Sequence, residues 1–260
     1  MRSMTTGSSH SDALYPACRA IVGPRRWREL RADVPGFPSP EAFAGRDLAG
    51  LPPWLPDLAR IEERVHRAAA LQEVLDREPA ALSVNPTLAL LRVGWRGLPA
   101  MIHDRGRDLA RPVAGEEHVL VRLRPATRKP LVTSASADEL LALKIVVENL
   151  DKRQVAREHH TTLAALDRAV ERAVRSGILR RPRSALRRES SLFGGREAEQ
   201  EAFCTARVFT LQWHITQACD LSCRHCYDRS ARAAVTQEEA ERVLDQLYDF
   251  CQDRHVHGQV

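Results

Sequence analysis

No stretch of the 260 residues approaches the roughly 18 consecutive apolar positions that a membrane-spanning helix requires, and the first residues lack the charged and apolar blocks of a secretory signal. A soluble protein of the cytoplasm is the expectation. Lysine is nearly missing: of 39 Lys and Arg residues, only Lys129, Lys144 and Lys152 are lysines. Arginine therefore carries the positive side of a net charge of +5. Guanidinium forks suit phosphate and carboxylate recognition. These arginines are spread along the whole chain, however, which fits a compositional bias better than a built surface. Internal repeats are absent as well. With 43% apolar and 28% charged residues, the chain has the make-up of a globular protein large enough for two modest domains. Its opening, Met1 to Asp12, has too little apolar surface to offset the entropy of ordering, so residues 1–13 are expected to be a disordered tail.

Pro16, Pro24, Pro35, Pro38 and Pro40 allow only short helices at first, such as one around Trp27 to Arg31, and residues 14–105 are expected to be mainly helical. Leu55, Leu58, Ile61 and Val65 repeat at helical spacing, with Arg60, Glu62, Glu63, Arg64 and Arg67 assigned to the other face. Leu88 to Val93, Leu98 to Ile102, Val119 to Leu123 and Leu131 to Thr133 have the text of short strands. Ser136 and Glu139 form a capping box that opens a helix running to Leu150. A short helix from Lys152 to His159 follows, then a third capped by Thr161 or Thr162, striped by Leu163, Leu166, Val170 and Val174 and ended by Gly177. Ile178 and Leu179 then begin a strand. Short strands, three helices and a strand spell a winged-helix-like module within residues 106–185. Five arginines around Pro182 lead into a linker over residues 186–205. Trp54 and Trp95, each beside proline or glycine, are expected to anchor the core.

Residues 206–260 change style. Val208, Thr210, Gln212, His214 and Thr216 alternate with Phe209, Leu211, Trp213 and Ile215, which is strand text, and a capping box at Thr236 and Glu239 opens a later helix with Ala240, Val243, Leu244, Leu247 and Cys251 on one face. Between them lie Cys219, Cys223 and Cys226, half of the six cysteines in eight residues. Such crowding disfavours mutual disulfides and points to metal or redox chemistry. Thiolates are soft ligands for zinc or for an iron–sulfur cluster, and three ligands on a cuboidal cluster leave one iron open to bind a substrate. Zinc wants a fourth ligand, which His225 or His214 could supply, so a zinc knuckle stays open as an alternative. Cys251 is expected to be a packing residue; Cys18 and Cys204 receive no role.

Cys219-Asp-Leu-Ser-Cys223-Arg-His-Cys226-Tyr227, directly after a strand, resembles the signature of the radical S-adenosylmethionine (SAM) family. The resemblance implies a [4Fe–4S] cluster on Cys219, Cys223 and Cys226, with SAM on the open iron. It also implies reductive cleavage to a 5′-deoxyadenosyl radical that abstracts a substrate hydrogen, and an electron donor such as a ferredoxin or flavodoxin. His225 stands where the family usually has an aromatic residue; His225 and Tyr227 are the implied neighbours of the adenine. The family uses a partial or full (β/α) barrel, and its Gly-Gly-Glu-like segment would follow a second strand beginning near Val260. A truncated fragment, inactive alone, is therefore expected.

The 106–185 module resembles the peptide-recognition elements of enzymes that mature ribosomally made peptides, in which a leader peptide adds a strand to the sheet edge and lies against the third helix. Tyr15-Pro16, Leu55 to Glu62 and Leu88 to Leu91 are similar to the amino-terminal region of partner proteins in methanobactin-type copper-peptide maturation. Taken together, the chain is similar to the selenobiotic family of peptide radical SAM maturases. The implied fold is an α+β N-terminal region with a winged-helix-like peptide-recognition module, followed by the first β-α unit of a truncated radical SAM (β/α) barrel. The implied partner is a precursor peptide, with no membrane. The competing class is an iron–sulfur or zinc-binding winged-helix DNA-binding regulator, for which Arg168, Arg172, Arg175, Arg180, Arg181 and Arg183 would supply phosphate contacts. Nucleic acid is disfavoured because arginines along one helix are as easily a solvated face. The pairs His159–His160 and His255–His257 lie in polar text without further ligands.

Overall fold

Prolines set the first helices. In the computed structural model, which describes residues 13–34, 36–44, 50–104, 111–189, 191, 203–214, 223–226 and 233–260, α1 (Pro16–Val22) and α2 (Pro24–Asp33) each begin on a proline. The proline's missing N–H is harmless there and its fixed φ suits the first turn. Gly23, at φ +82°, makes the corner between them. A short α3 (Pro40–Ala44) and the longer α4 (Leu55–Ala70) follow. Of the expected tail over residues 1–13, residues 1–12 lie outside the described residues, and Ala13 is helical. Among the described residues no helix is long and apolar enough to cross a membrane.

Glu62 departs from the expected polar face of α4. It is 3% exposed and lies on the same side as Leu55, Leu58 and Ile61. Its carboxylate accepts the N–H groups of Ala17 (2.6 Å) and Cys18 (3.0 Å), which the start of α1 leaves without helical partners. Burial pushes the Glu62 pKa up, and those two N–H bonds pull against the rise. Nearby Tyr15 is pushed up to about 12, by burial first and then by the Glu63 carboxylate beside it.

A 3₁₀ turn (Gln72–Asp76) leads to β1 (Ser83–Val84) and then to an antiparallel meander of β2 (Ala89–Arg96), β3 (Val113–Leu123) and β4 (Pro130–Ser134), in that spatial order. Leu98 to Ile102, expected as a strand, is instead α5 (Leu98–Asp104). Gly97, at φ +90°, turns the chain, Pro99 suits a first helical turn, and Leu98 and Met101 are buried three residues apart, a helical rather than an alternating spacing.

The central strand β3 is covered on both faces. Val119, Val121 and Leu123 join Tyr15, Trp27 and Leu58 in one core, which also takes in Trp54 and the half-buried Trp95. Leu120 points the other way, into a second core with Leu143, Val170 and Ala173. That second layer comes from α6 (Ala137–Val147), α7 (Lys152–Glu158) and α8 (Leu163–Arg175). The Ser136–Glu139 capping box is formed in both directions, Thr162 caps α8, and Gly177 at φ +74° ends it. The strand after the third helix, β5 (Leu179–Arg180), pairs antiparallel with β1. Strands from before residue 106 thus complete both small sheets. Asn85 ties the pieces: its Nδ2 donates to the carbonyls of Leu123 (3.1 Å) and Gly177 (2.7 Å), and its Oδ1 accepts from Thr87.

Residues divide into two units, Met1–Arg181 and Pro182–Val260. The second holds β6 (Val208–Thr210), α9 (Gln237–Asp253) and β7 (His257–Gln259), with β6 and β7 parallel and in register Val208↔His257 to Thr210↔Gln259. Strand, helix and parallel strand make a β-α-β unit. The expected strand from Val208 to Thr216 forms regular pairs only to Thr210, although the Leu211 N–H still reaches the Gln259 carbonyl at 2.7 Å. Ile215 and Thr216 lie outside the described residues. Phe209 packs on Phe250 of α9 with ring centroids 4.9 Å apart. Gly258 lets helix and strand approach closely, since a Cβ there would lie 2.9 Å from Cys251 Sγ. Among the described residues no sheet closes into a barrel.

Candidate functional site

In the sequence the three cysteines fall between β6 and α9, and ligands commonly sit at the connection from strand to helix in folds built from β-α units. Cys223 and Cys226 are held by one turn, with the Cys226 N–H donating to the Cys223 carbonyl at 3.1 Å. Neither is in a disulfide, and both are exposed, as are Arg224 and His225 between them. Cys219 and Tyr227 lie outside the described residues. Two of the three expected ligands are thus brought together on one turn. No group of three or more His, Cys, Asp or Glu side chains is gathered for a metal among the described residues.

The remaining cysteines sit in a different chemical setting. Cys18, Cys204 and Cys251 are buried and free. Burial, reinforced by the Glu62 carboxylate, drives the Cys18 thiol well up, and burial raises Cys251 as well. Protonated buried thiols are poor ligands and nucleophiles. Cys251 packs against Gly258, in keeping with a packing role.

Side chains along 208–214 alternate in exposure. Phe209, Leu211 and Trp213 are half-buried, whereas Val208, Thr210, Gln212 and His214 are exposed. Because Phe209 meets α9, the odd positions face the helix. Trp213 continues that face into an open cleft of about 500 Å³ shared with Val235, Arg242, Val243 and Gln246. The even positions line the opposite face. His159 and His160 are exposed and His255 half-exposed; His160 and His255 take left-handed turn conformations.

In the first unit the meander has two edges of different character. At β2 the Gly94 N–H donates to Asp57 Oδ2 (2.8 Å), the Arg92 carbonyl accepts from Arg60 (3.3 Å), and Asp57 and Arg60 are themselves paired. That edge is blocked by a fixed ion pair. At β4 the Val132 carbonyl meets His103 Nε2 at 2.7 Å. Several arginines offered to nucleic acid are engaged within the chain: Arg172 with Asp138, Arg181 with Glu171, and Arg180 with the carbonyls of Leu75 and Arg77. Arg122, absent from the sequence-based candidates, is 2% exposed in β3. Its signal was one arginine inside the apolar run Val119 to Leu123.

No protein-family model matches the chain, and a search of curated proteins finds no match.

Proposed function

We propose that the chain belongs to a radical SAM peptide maturase of the cytoplasm, with a peptide-recognition module ahead of its β-α-β unit. The observation that carries this reading is the sequence spacing of Cys219, Cys223 and Cys226, which follow in the chain a strand that pairs in parallel with the strand after the next helix. The donor set suits the group: Cys223 and Cys226 are exposed, outside any disulfide and carried by one turn, and soft thiolates are the ligands of iron–sulfur clusters. When bound, a [4Fe–4S] cluster supplies the electron that cleaves SAM.

The chain's own residues have simpler tasks. Cys219, Cys223 and Cys226 would hold the cluster, and His225 and Tyr227 would lie toward the adenine of SAM. Phe209 anchors the strand to α9, and Trp213 lines the cleft beside that helix. In the first unit β4 receives the precursor peptide as an added strand, because β2 is blocked by Asp57 and Arg60. Engagement of Arg172, Arg180 and Arg181 within the chain favours peptide over DNA as the partner.

Anaerobic reconstitution of the 260-residue protein with iron and sulfide tests the assignment. About four irons per chain, with a thiolate-to-iron absorption band, are expected, and Cys223→Ala should abolish stable uptake. Binding of a single zinc ion instead, with no iron retained, would sink it.

A further inference from the structure

Arg122 lies in the middle of the apolar strand run and is 2% exposed, yet its partners are neutral. Its Nε donates to the Ser176 carbonyl at the end of α8 (3.1 Å) and its Nη1 to Thr133 Oγ1 on β4 (3.1 Å). Among the described residues no carboxylate pairs with it and Nη2 has no hydrogen-bond partner. Desolvation of a cation without a counter-charge is costly. The carbonyl end of α8 offsets part of that cost, and Glu139 acts on the guanidinium only through its longer-range field. A helix cap alone would be served by a neutral donor. A full guanidinium held along the sheet, with spare N–H groups, is suited to receiving an anion bidentately.

The direction of the side chain says where that anion would come from. Thr133 belongs to β4, the last strand of the meander. Val132 on one face of β4 is buried, but Leu131 and Thr133, on the face shared with Arg122, are only half-buried. The guanidinium therefore reaches from the buried centre of the sheet toward a strand that pairs with no further strand among the described residues, whose outward Val132 carbonyl is held only by His103 of the adjoining α5, and whose Arg122 face is incompletely covered. We propose that Arg122 is a specificity-determining residue that selects an extended peptide carrying an acidic side chain, which pairs with the guanidinium when the peptide adds to β4. Charge complementarity identifies the occupant: an acidic strand segment supplies the counter-charge that Arg122 lacks. The incoming strand displaces His103 from the Val132 carbonyl as it docks. This inference rests on the reading of the first unit as a peptide-recognition module.

The test uses the whole chain and three short, end-capped, fluorescently labelled Thr/Val-alternating peptides that differ only in a central Glu, Gln or Lys, titrated by anisotropy. The Glu peptide should bind about tenfold more tightly than the Gln peptide, and the Lys peptide more weakly still, as expected for a charge-assisted pair. The preference for Glu over Gln should vanish in Arg122→Gln, persist in reduced form in Arg122→Lys, and disappear in the native chain as the peptide carboxylate is protonated. Equal binding of the Glu and Gln peptides to the native chain overturns the role of Arg122 while leaving peptide recognition standing. Failure of all three peptides to bind overturns the recognition reading and this inference with it. The native-chain comparison needs no variant, so a folding defect in Arg122→Gln, visible by circular dichroism, does not blunt it.

Discussion

The two units start a helix with the same instruction and finish with different cores. Ser136 and Glu139 in the first, and Thr236 and Glu239 in the second, form capping boxes with both reciprocal bonds in place. In the first unit the helix behind that cap presses on a sheet already covered on its other face, and Val119 to Leu123 are at most 2% exposed. In the second, α9 lies on two short strands, and among the described residues only Cys204, Cys251 and Val256 are buried, while Leu244 is 45%, Val208 46% and Phe203 63% exposed. Capping decides where a helix begins. How much that helix contributes to stability depends on how many layers close over its apolar face.

Paired truncations should separate the units most sharply. Leu58→Ala, at a fully buried position of α4, is expected to destabilise the first unit by about 2–5 kcal/mol. Leu244→Ala, on the half-open face of α9, should change stability by no more than about 0.5 kcal/mol. Urea unfolding followed by tryptophan fluorescence reads both, because Trp27, Trp54 and Trp95 report on the first unit and Trp213 on the second. Equal costs would break the contrast. The next effect belongs to the second unit. Gly258→Ala forces a methyl against Cys251 Sγ and should cost about 1–3 kcal/mol, with Cys251→Ala restoring most of it. Hydrogen exchange in α9 and β7 is the measurement, and an unperturbed Gly258→Ala would contradict the close helix–strand contact.

The mildest effect is a pH slope confined to the first unit. Burial raises the Glu62 pKa in the folded chain. A raised carboxylate contributes stability that is fully present below the unfolded value of about 4.3 and is lost as pH rises through the folded value. Glu62→Gln removes this titration, so the stability of the native chain relative to Glu62→Gln should fall as pH is raised from 4 toward neutrality. Denaturation midpoints across that range check the sign; a flat or rising difference would show that the N–H groups of Ala17 and Cys18 outweigh desolvation.

Local chemistry was legible in the amino-acid order wherever one or two turns decide the outcome. Both capping boxes, a threonine cap at 161 or 162, which the structure assigns to Thr162, the Gly177 stop and the alternation of Phe209, Leu211 and Trp213 needed only near neighbours. Leu98 to Ile102 was misread because five apolar-rich residues fit a strand or a helix equally well, and a positive φ at Gly97 resolved it. Glu62 was placed on the solvent side because carboxylates usually lie there. Its spacing from Leu55 and Leu58 already set it on the inner face, but the N–H groups that make it tolerable come from residues 17 and 18. For the candidate site, the cysteine spacing was fully readable, and the turn that joins Cys223 to Cys226 spans only four residues.

By itself, the order of residues determined most of the helices, their caps and the spacing of the thiols, because hydrogen bonds within a turn and ligand spacing depend on few residues. Only the tertiary structure decided that β5 pairs with β1, that β6 and β7 run parallel, that β2 is blocked at its edge, and that Arg122 is held without a carboxylate partner among the described residues. Each of those outcomes joins residues far apart in the chain, where local propensity is silent and the burial of apolar faces chooses the partner.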